Sequence, residues 1–105
     1  MPRFDHIVIV GPGAMGCLHG ALMAEAGLHV SLLDHDPERS WYLNQNRINL
    51  SFPDGSSRMV PVHTSAQPSE MEPAELLIVS VKAYATAAAV QWAAPVINAK
   101  TCILT

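Results

Sequence analysis

Seven residues, VGPGAMG at positions 10–16, constrain this chain more than any other stretch. They follow HIVIV, a run with four β-branched apolar residues, and lead into helix-forming sequence. The spacing G-x-G-x-x-G recurs by chance, so its surroundings decide what it means. Here each glycine has a distinct physical use. Gly11 lets the chain turn sharply off a strand, Gly13 removes a side chain where a pyrophosphate must approach the backbone, and Gly16 lets a helix lie close to the strand. The N–H groups of the helix's first turn then face phosphate, and the helix dipole favours its charge. Pro12 has no N–H, so the donors come from Gly13 onward, Ala14 and Met15 foremost, and its fixed φ stiffens the loop.

The rest of the chain supplies the frame that such a loop needs. Phe4 to Val10 is a continuous apolar run, which predicts a strand buried on both faces of a parallel sheet. Ala14 to Ala26 predicts a helix, with Leu18, Leu22 and Ala26 as an apolar stripe flanked by Met15 and Ala21. Gly27 fits the left-handed position that ends it. His29 to Leu33 predicts a second strand, completing a βαβ unit. Pro37 to Asn46 predicts a second helix, with Asp36 as N-cap and Pro37 in the first position. INLSF, PDGS and SRMVPV predict a β-hairpin, with Pro61 on an edge or at a bulge. Residues 63–75 are polar and predict a surface connection, its acidic Glu70, Glu72 and Glu75 being a solvated face. Leu76 to Val81 predicts a third buried strand, Ala85 to Ala94 a helix and Thr101 to Leu104 a further strand. Strands alternating with helices imply an α/β fold with a doubly wound, mainly parallel sheet.

Two further residues belong with the glycine loop. Asp34 ends the second strand about twenty positions past the glycines, where an acid accepts hydrogen bonds from the adenosine ribose. A carboxylate there repels a 2′-phosphate. Unit charges ~4 Å apart interact by about 4 kcal/mol at an effective dielectric of ~20. On charge alone this favours NAD over NADP, although His35 and Arg39 could clamp a phosphate if Asp34 swings away. Lys82 follows the third strand, which should pair beside the first across the reversal of strand order, where ligands bind. It is one of two lysines in the chain, with Lys100, and sits where it would line the cofactor cleft.

Composition excludes several classes. The chain has 105 residues, which bounds it to one domain; 50% are hydrophobic, 14% are charged and the net charge is −3. That balance leaves no basic footprint for nucleic acid and no polybasic anchor for a membrane. No apolar run approaches the ~20 residues that span a bilayer, and the N-terminus lacks a signal-peptide pattern, so the expected compartment is the cytoplasm. The five histidines are scattered, without the spacing of a zinc site. Cys17 and Cys102 form no CxxC and read as small buried hydrophobes. Trp41 and Trp92, on predicted helices, read as packing residues.

GPGAMG after a first strand, Asp34 at the end of the second and VKAYAT after LLIVS together resemble the ketopantoate reductase (2-dehydropantoate 2-reductase) family. The resemblance covers the whole chain and matches only that family's N-terminal, Rossmann-type cofactor domain. It implies that Gly11, Gly13, Ala14, Met15 and Gly16 form the pyrophosphate loop and that Lys82 lines the nicotinamide-ribose side of the active site. It implies a hydride from NADPH delivered to a 2-keto acid such as ketopantoate, in pantothenate biosynthesis. The general-acid lysine, and the glutamate and serine that hold substrate, would come from a helical C-terminal domain absent from this chain, so residues 1–105 alone would bind dinucleotide without turnover. The sequence departs from the family at LLDHDPER, where NADPH-using members carry an arginine near the end of the second strand. A chain that stops on an apolar strand is expected to be part of a longer polypeptide, and that bare edge leaves room for a partner, a homodimer of the full-length protein included. Two alternatives stand beside this reading: a non-catalytic nucleotide-binding module, and another G-x-G-x-x-G dehydrogenase of the 6-phosphogluconate or opine type.

Overall fold

Strand β1 (Ile7–Val10) sends Ile7 and Ile9 into one hydrophobic core and Val8 and Val10 into another on the opposite face. Residues alternate sides along a strand, so an unbroken apolar run is what a sheet covered on both faces requires. The computed structural model describes residues 5–11, 13–81 and 85–105. Their five-stranded sheet has the order β5-β2-β1-β6-β7 and is parallel throughout, with β2 spanning Val30–Leu33, β5 His63–Ser65, β6 Leu76–Val79 and β7 Cys102–Leu104. β1 lies between β2 and β6, so strand order reverses beside it. The architecture is the Rossmann-type α/β fold that the sequence predicts.

Helix α1 (Ala14–Glu25) covers one face, but not by the expected stripe. Met15, Leu18 and Leu22 are 58%, 38% and 42% exposed, and Ala26 is exposed too. The face that meets the sheet is Gly16, Gly20 and Ala21, all buried. Small residues win because the helix sits too close for large ones: a Cβ at Gly20 would lie 2.8 Å from Leu32 Cδ2. Gly27 ends the helix as expected, at φ +88°, with its N–H donating to Ala24 O and that of Leu28 to Met23 O.

Helix α2 (Pro37–Asn46) begins where Asp36 predicts, the Asp36 carboxylate accepting from the N–H groups of Glu38 and Arg39. Trp41, expected to pack, is 65% exposed on this helix. β3 (Ile48–Ser51) and β4 (Ser57–Val60) form the expected hairpin as a sheet of their own, and Pro61 falls in the link after β4. Their Ile48, Leu50 and Val60 join the core beneath α1. The polar stretch 63–75, expected to be all surface connection, begins instead with β5 at the sheet edge. Asn44 explains how so short a strand holds. Its side-chain amide donates to Thr64 O, and its carbonyl accepts from Thr64 N–H at 2.8 Å, pairing the outer edge of β5 as a neighbouring strand would.

The second face is covered by α3 (Thr86–Trp92) and the short helical turn Ala94–Val96, with Met71, Ala93 and Val96 in the core there. Trp92 packs partly against that core, in line with expectation. At the start of β1, His6 is buried. Its Nδ1–H donates to the carbonyls of Glu72 and Pro73, which leaves Nε2 to accept from the Ser31 hydroxyl at 2.9 Å. Strand β7 is the far edge, and Cys102, expected to be buried, is exposed there, while Cys17 is half-buried.

Replacing Asn44 with alanine strips the β5 edge of both partners and leaves Thr64 N–H unsatisfied. Asn44→Ala is expected to lower stability by about 1–3 kcal/mol, read as a shift of the urea midpoint with unchanged slope.

Candidate functional site

The loop after β1 gives its glycines three different surroundings. Gly11 stands at φ +83°, with its N–H donating to Leu33 O at 3.0 Å. A Cβ there would meet Val81 Cγ1 at 2.4 Å and Ser80 O at 2.9 Å, so both conformation and space demand glycine. Gly16 is excluded from carrying a side chain by the carbonyl of Gly11, 2.9 Å from where its Cβ would be. Gly13 is different. Its φ of −70° and ψ of −166° suit any residue, and a Cβ would meet none of the described residues within 4 Å. Among the described residues, nothing accounts for glycine at this position. Pro12 and Lys82, both named from the sequence, lie outside the described residues, as does Tyr84.

Gly13 is also the N-cap of α1. It supplies no side-chain cap, and the helix has no acid in its first turn. The first backbone N–H to bond back within the helix is that of Cys17, which donates to Gly13 O at 2.9 Å. The amides of Ala14, Met15 and Gly16 precede it and have no acceptor inside the helix. A glycine with open space before it, followed by uncapped amides at the positive end of a helix, is a seat for an anionic group.

At the end of β2 the ladder continues one residue, with Asp34 N–H donating to Ser65 O at 2.9 Å. The Asp34 carboxylate is fully buried. Its Oδ1 accepts from Asp36 N–H at 3.0 Å and Arg39 Nη2 at 2.8 Å, and its Oδ2 accepts from Arg39 Nε at 2.5 Å. His35 Nδ1 lies 3.9 Å from Oδ1 on a largely solvent-facing ring. Burial pushes the Asp34 carboxyl upward, but the hydrogen bonds from Arg39 and Asp36 and the charge of Arg39 outweigh it, so its pKa falls below 3.8. Arg39 is raised in turn, chiefly by its hydrogen bond to Asp34. Burial and then the Asp34 charge push the Cys17 thiol up.

Next to Gly11 and His35 lies an apolar cleft of about 250 Å³, at the carboxyl ends of β1 and β2 and against α3. Gly11, Leu33, His35, Ala89 and Trp92 are among its walls, and the His35 and Trp92 rings meet edge to face with centroids 6.4 Å apart. Gly11, Gly13, Asp34 and His35 thus lie at the same end of the sheet, just past β1 and β2. The contribution of Ala89 and Trp92 to the cleft was missed. Its signal was α3 starting just past β6, at the reversal of strand order. Among the described residues no cluster of His, Cys, Asp or Glu could hold a metal ion, and no helix is long and apolar enough to cross a membrane.

Residues 7–105 match the family described as ketopantoate reductase PanE/ApbA. The 2-dehydropantoate 2-reductase of Halobacterium salinarum is 34% identical over 83 residues, which cover 79% of this chain and 27% of that protein. That of Mycobacterium tuberculosis is 35% identical over 101 residues, covering 92% of this chain and 31% of the relative. The crystal structure of a PanE/ApbA family ketopantoate reductase from Ralstonia eutropha superposes with a TM-score of 0.83 at 27% identity, covering 95% of this chain and 33% of that one. The chain therefore spans about a third or less of the length of these proteins.

Two stability measurements separate the roles argued for the loop. Gly11→Ala is expected to lose about 2–4 kcal/mol through strain and overlap, whereas Gly13→Ala leaves stability unchanged or raises it by up to about 1 kcal/mol, both read from chemical unfolding. The depressed Asp34 pKa makes a second expectation. A carboxylate with a lowered folded pKa contributes stability that is fully present above its unfolded value of 3.8 and lost as pH falls through the folded one. Unfolding midpoints measured down through this acid range should fall less steeply in Asp34→Asn than in the parent protein.

Proposed function

This chain belongs to the ketopantoate reductase PanE/ApbA family, and from that premise we propose that it is the dinucleotide-binding part of an NAD(P)-dependent reductase acting on a 2-keto acid such as ketopantoate. The single observation that carries the reading is Gly13, where a side chain would meet none of the described residues and the backbone does not require glycine. Its open face, with the amides of Ala14, Met15 and Gly16 beyond it, would hold the diphosphate, and Gly11 and Gly16 keep that face in place. The cleft walled by His35, Trp92 and Ala89 offers an apolar surface for the cofactor's aromatic base. Asp34, His35 and Arg39 stand at the adenosine-ribose end. Lys82, placed by the sequence just past β6, would border the nicotinamide ribose.

When bound, the cofactor supplies a hydride for the carbonyl carbon of the keto acid. The chain's own residues bind and orient it. The loop amides fix the phosphates, and the buried sheet beneath holds the loop rigid, which is what brings a donor carbon to a constant position. The proton for the carbonyl oxygen would come from the remainder of a polypeptide of the relatives' length.

Calorimetric titration of the full-length protein with NADH and NADPH tests the reading. At least one should bind, and Gly13→Val should weaken it by at least tenfold, about 1.4 kcal/mol, while the melting temperature stays near that of the parent. Silence in both titrations of the parent protein would overturn the reading. A panel of 2-keto acids, followed by the loss of reduced-nicotinamide absorbance, then tests the substrate class, with ketopantoate expected among the substrates turned over.

A further inference from the structure

The end of the sheet away from the glycine loop holds a second chemical arrangement. The Ser31 hydroxyl donates to His6 Nε2 at 2.9 Å, and His6 Nδ1–H donates to the carbonyls of Glu72 and Pro73 at 3.1 and 3.3 Å. Those carbonyls can only accept, so the proton of the neutral ring sits on Nδ1 and the lone pair of Nε2 is aimed at the hydroxyl. Hydroxyl, base and a group that orients the base, in that sequence, are what activates a serine. We propose that Ser31 is a nucleophile with His6 as its general base, and that it takes the acyl group of short-chain, activated carboxylic esters. The site lies at the opposite end of the strands from the dinucleotide seat and stands independently of it.

A serine–histidine bond by itself only satisfies two buried polar groups. Three further observations separate this one from that case. Ser31 is 2% exposed, yet it and His6 are both walls of a cavity of about 220 Å³. The His29 ring is stacked on His6 with centroids 4.3 Å apart and planes 24° from parallel, so the base is held by its face as well as by its edge. Ser31 pairs with His63 in the parallel register of β2 and β5, which puts the His63 side chain beside Ser31 on the same face of the sheet. His63 lines the cavity too, is exposed, and has no hydrogen-bond partner among the described residues, so its N–H is available to the oxygen of an incoming carbonyl.

In the step itself, Ser31 Oγ bonds to the ester's carbonyl carbon while its proton passes to His6 Nε2. The bond from that carbon to the alcohol oxygen then breaks, and the alcohol leaves with the proton. Water repeats the sequence on the acyl-serine and releases the acid. The imidazolium formed in between keeps its two carbonyl acceptors, and the Glu70 and Glu72 carboxylates, which share the cavity, offset its charge. The cavity is smaller than the ~300–1,000 Å³ that takes a drug-sized ligand. That size limits the acyl chain to a few carbons and leaves the alcohol part at the mouth.

The test treats the full-length protein with p-nitrophenyl acetate and locates the acetyl group by mass spectrometry of the digested chain. The peptide that contains Ser31 should be acetylated about a hundredfold faster in the folded parent than in the urea-unfolded chain, the low end of what a positioned general base contributes. His6→Gln should lose that advantage, with its melting temperature read alongside. Ser31→Ala should release p-nitrophenolate more slowly than the parent. Acetylation of the Ser31 peptide at equal rates in the folded and unfolded chain overturns the proposal. So does acetyl found only on lysines and the N-terminus, or a His6→Gln variant that melts like the parent and is acetylated at Ser31 as fast. The comparison of folded with unfolded parent needs no substitution, so it decides the matter even where a variant does not fold.

Discussion

Helix α1 approaches the sheet more closely than a helix with ordinary side chains could. The contact face is Gly16, Gly20 and Ala21, and at Gly16 the obstacle to any Cβ is the backbone oxygen of Gly11 itself. Helix and loop are therefore packed backbone against backbone, and at Gly20 the helix rests directly on the Leu32 and Ile9 side chains of the strands. That packing determines where the first turn of α1 points, and with it where the amides of that turn are aimed. Widening it by one methyl group would displace the amides along with the helix, because the interior has no slack to absorb the change.

The same end of the sheet carries the buried Asp34 and its partner Arg39. Asp34 is buried because β2 ends there with both faces covered, and a buried carboxylate survives only if its oxygens are satisfied. Arg39 and the Asp36 amide do this from the start of α2. The N-cap that begins this helix thus also delivers the guanidinium to the strand end. Electrostatics and helix initiation are joined at Asp36, whose carboxylate binds the first turn while its N–H binds Asp34.

Much of this was legible in the residues, for identifiable reasons. The start of α2 follows from Asp36 and Pro37, which act locally and need no partner elsewhere. The end of α1 follows from Gly27 in the same way. The glycine loop was readable because Gly11 and Gly16 answer steric demands that no other residue can satisfy, and Gly13 completes the spacing between them. What failed depended on distance. The Met15, Leu18 and Leu22 stripe has helical spacing, yet it faces outward because the sheet is too near for it. Strand β5 has a polar sequence, and only the Asn44 amide from α2 makes an edge strand of it. Trp41 is apolar and exposed on α2, and nothing in its spacing marked it so. The Asp34–Arg39 pair spans a strand end and a helix start. Its one sequence signal was that a buried acid needs a cation, and Arg39 is the first arginine or lysine to follow Asp34.

The account stands on the claim that the open face of Gly13 and the amides after it receive a dinucleotide's diphosphate. Backbone amide NMR on the isotope-labelled protein, with NADPH or NADH added stepwise, reads that surface directly. The account requires the largest shifts at residues 13–17, with His35 and Trp92 moving alongside them. Shifts gathered instead at the opposite end of the strands, around His6 and His29, with residues 13–17 unmoved at saturation, would contradict it.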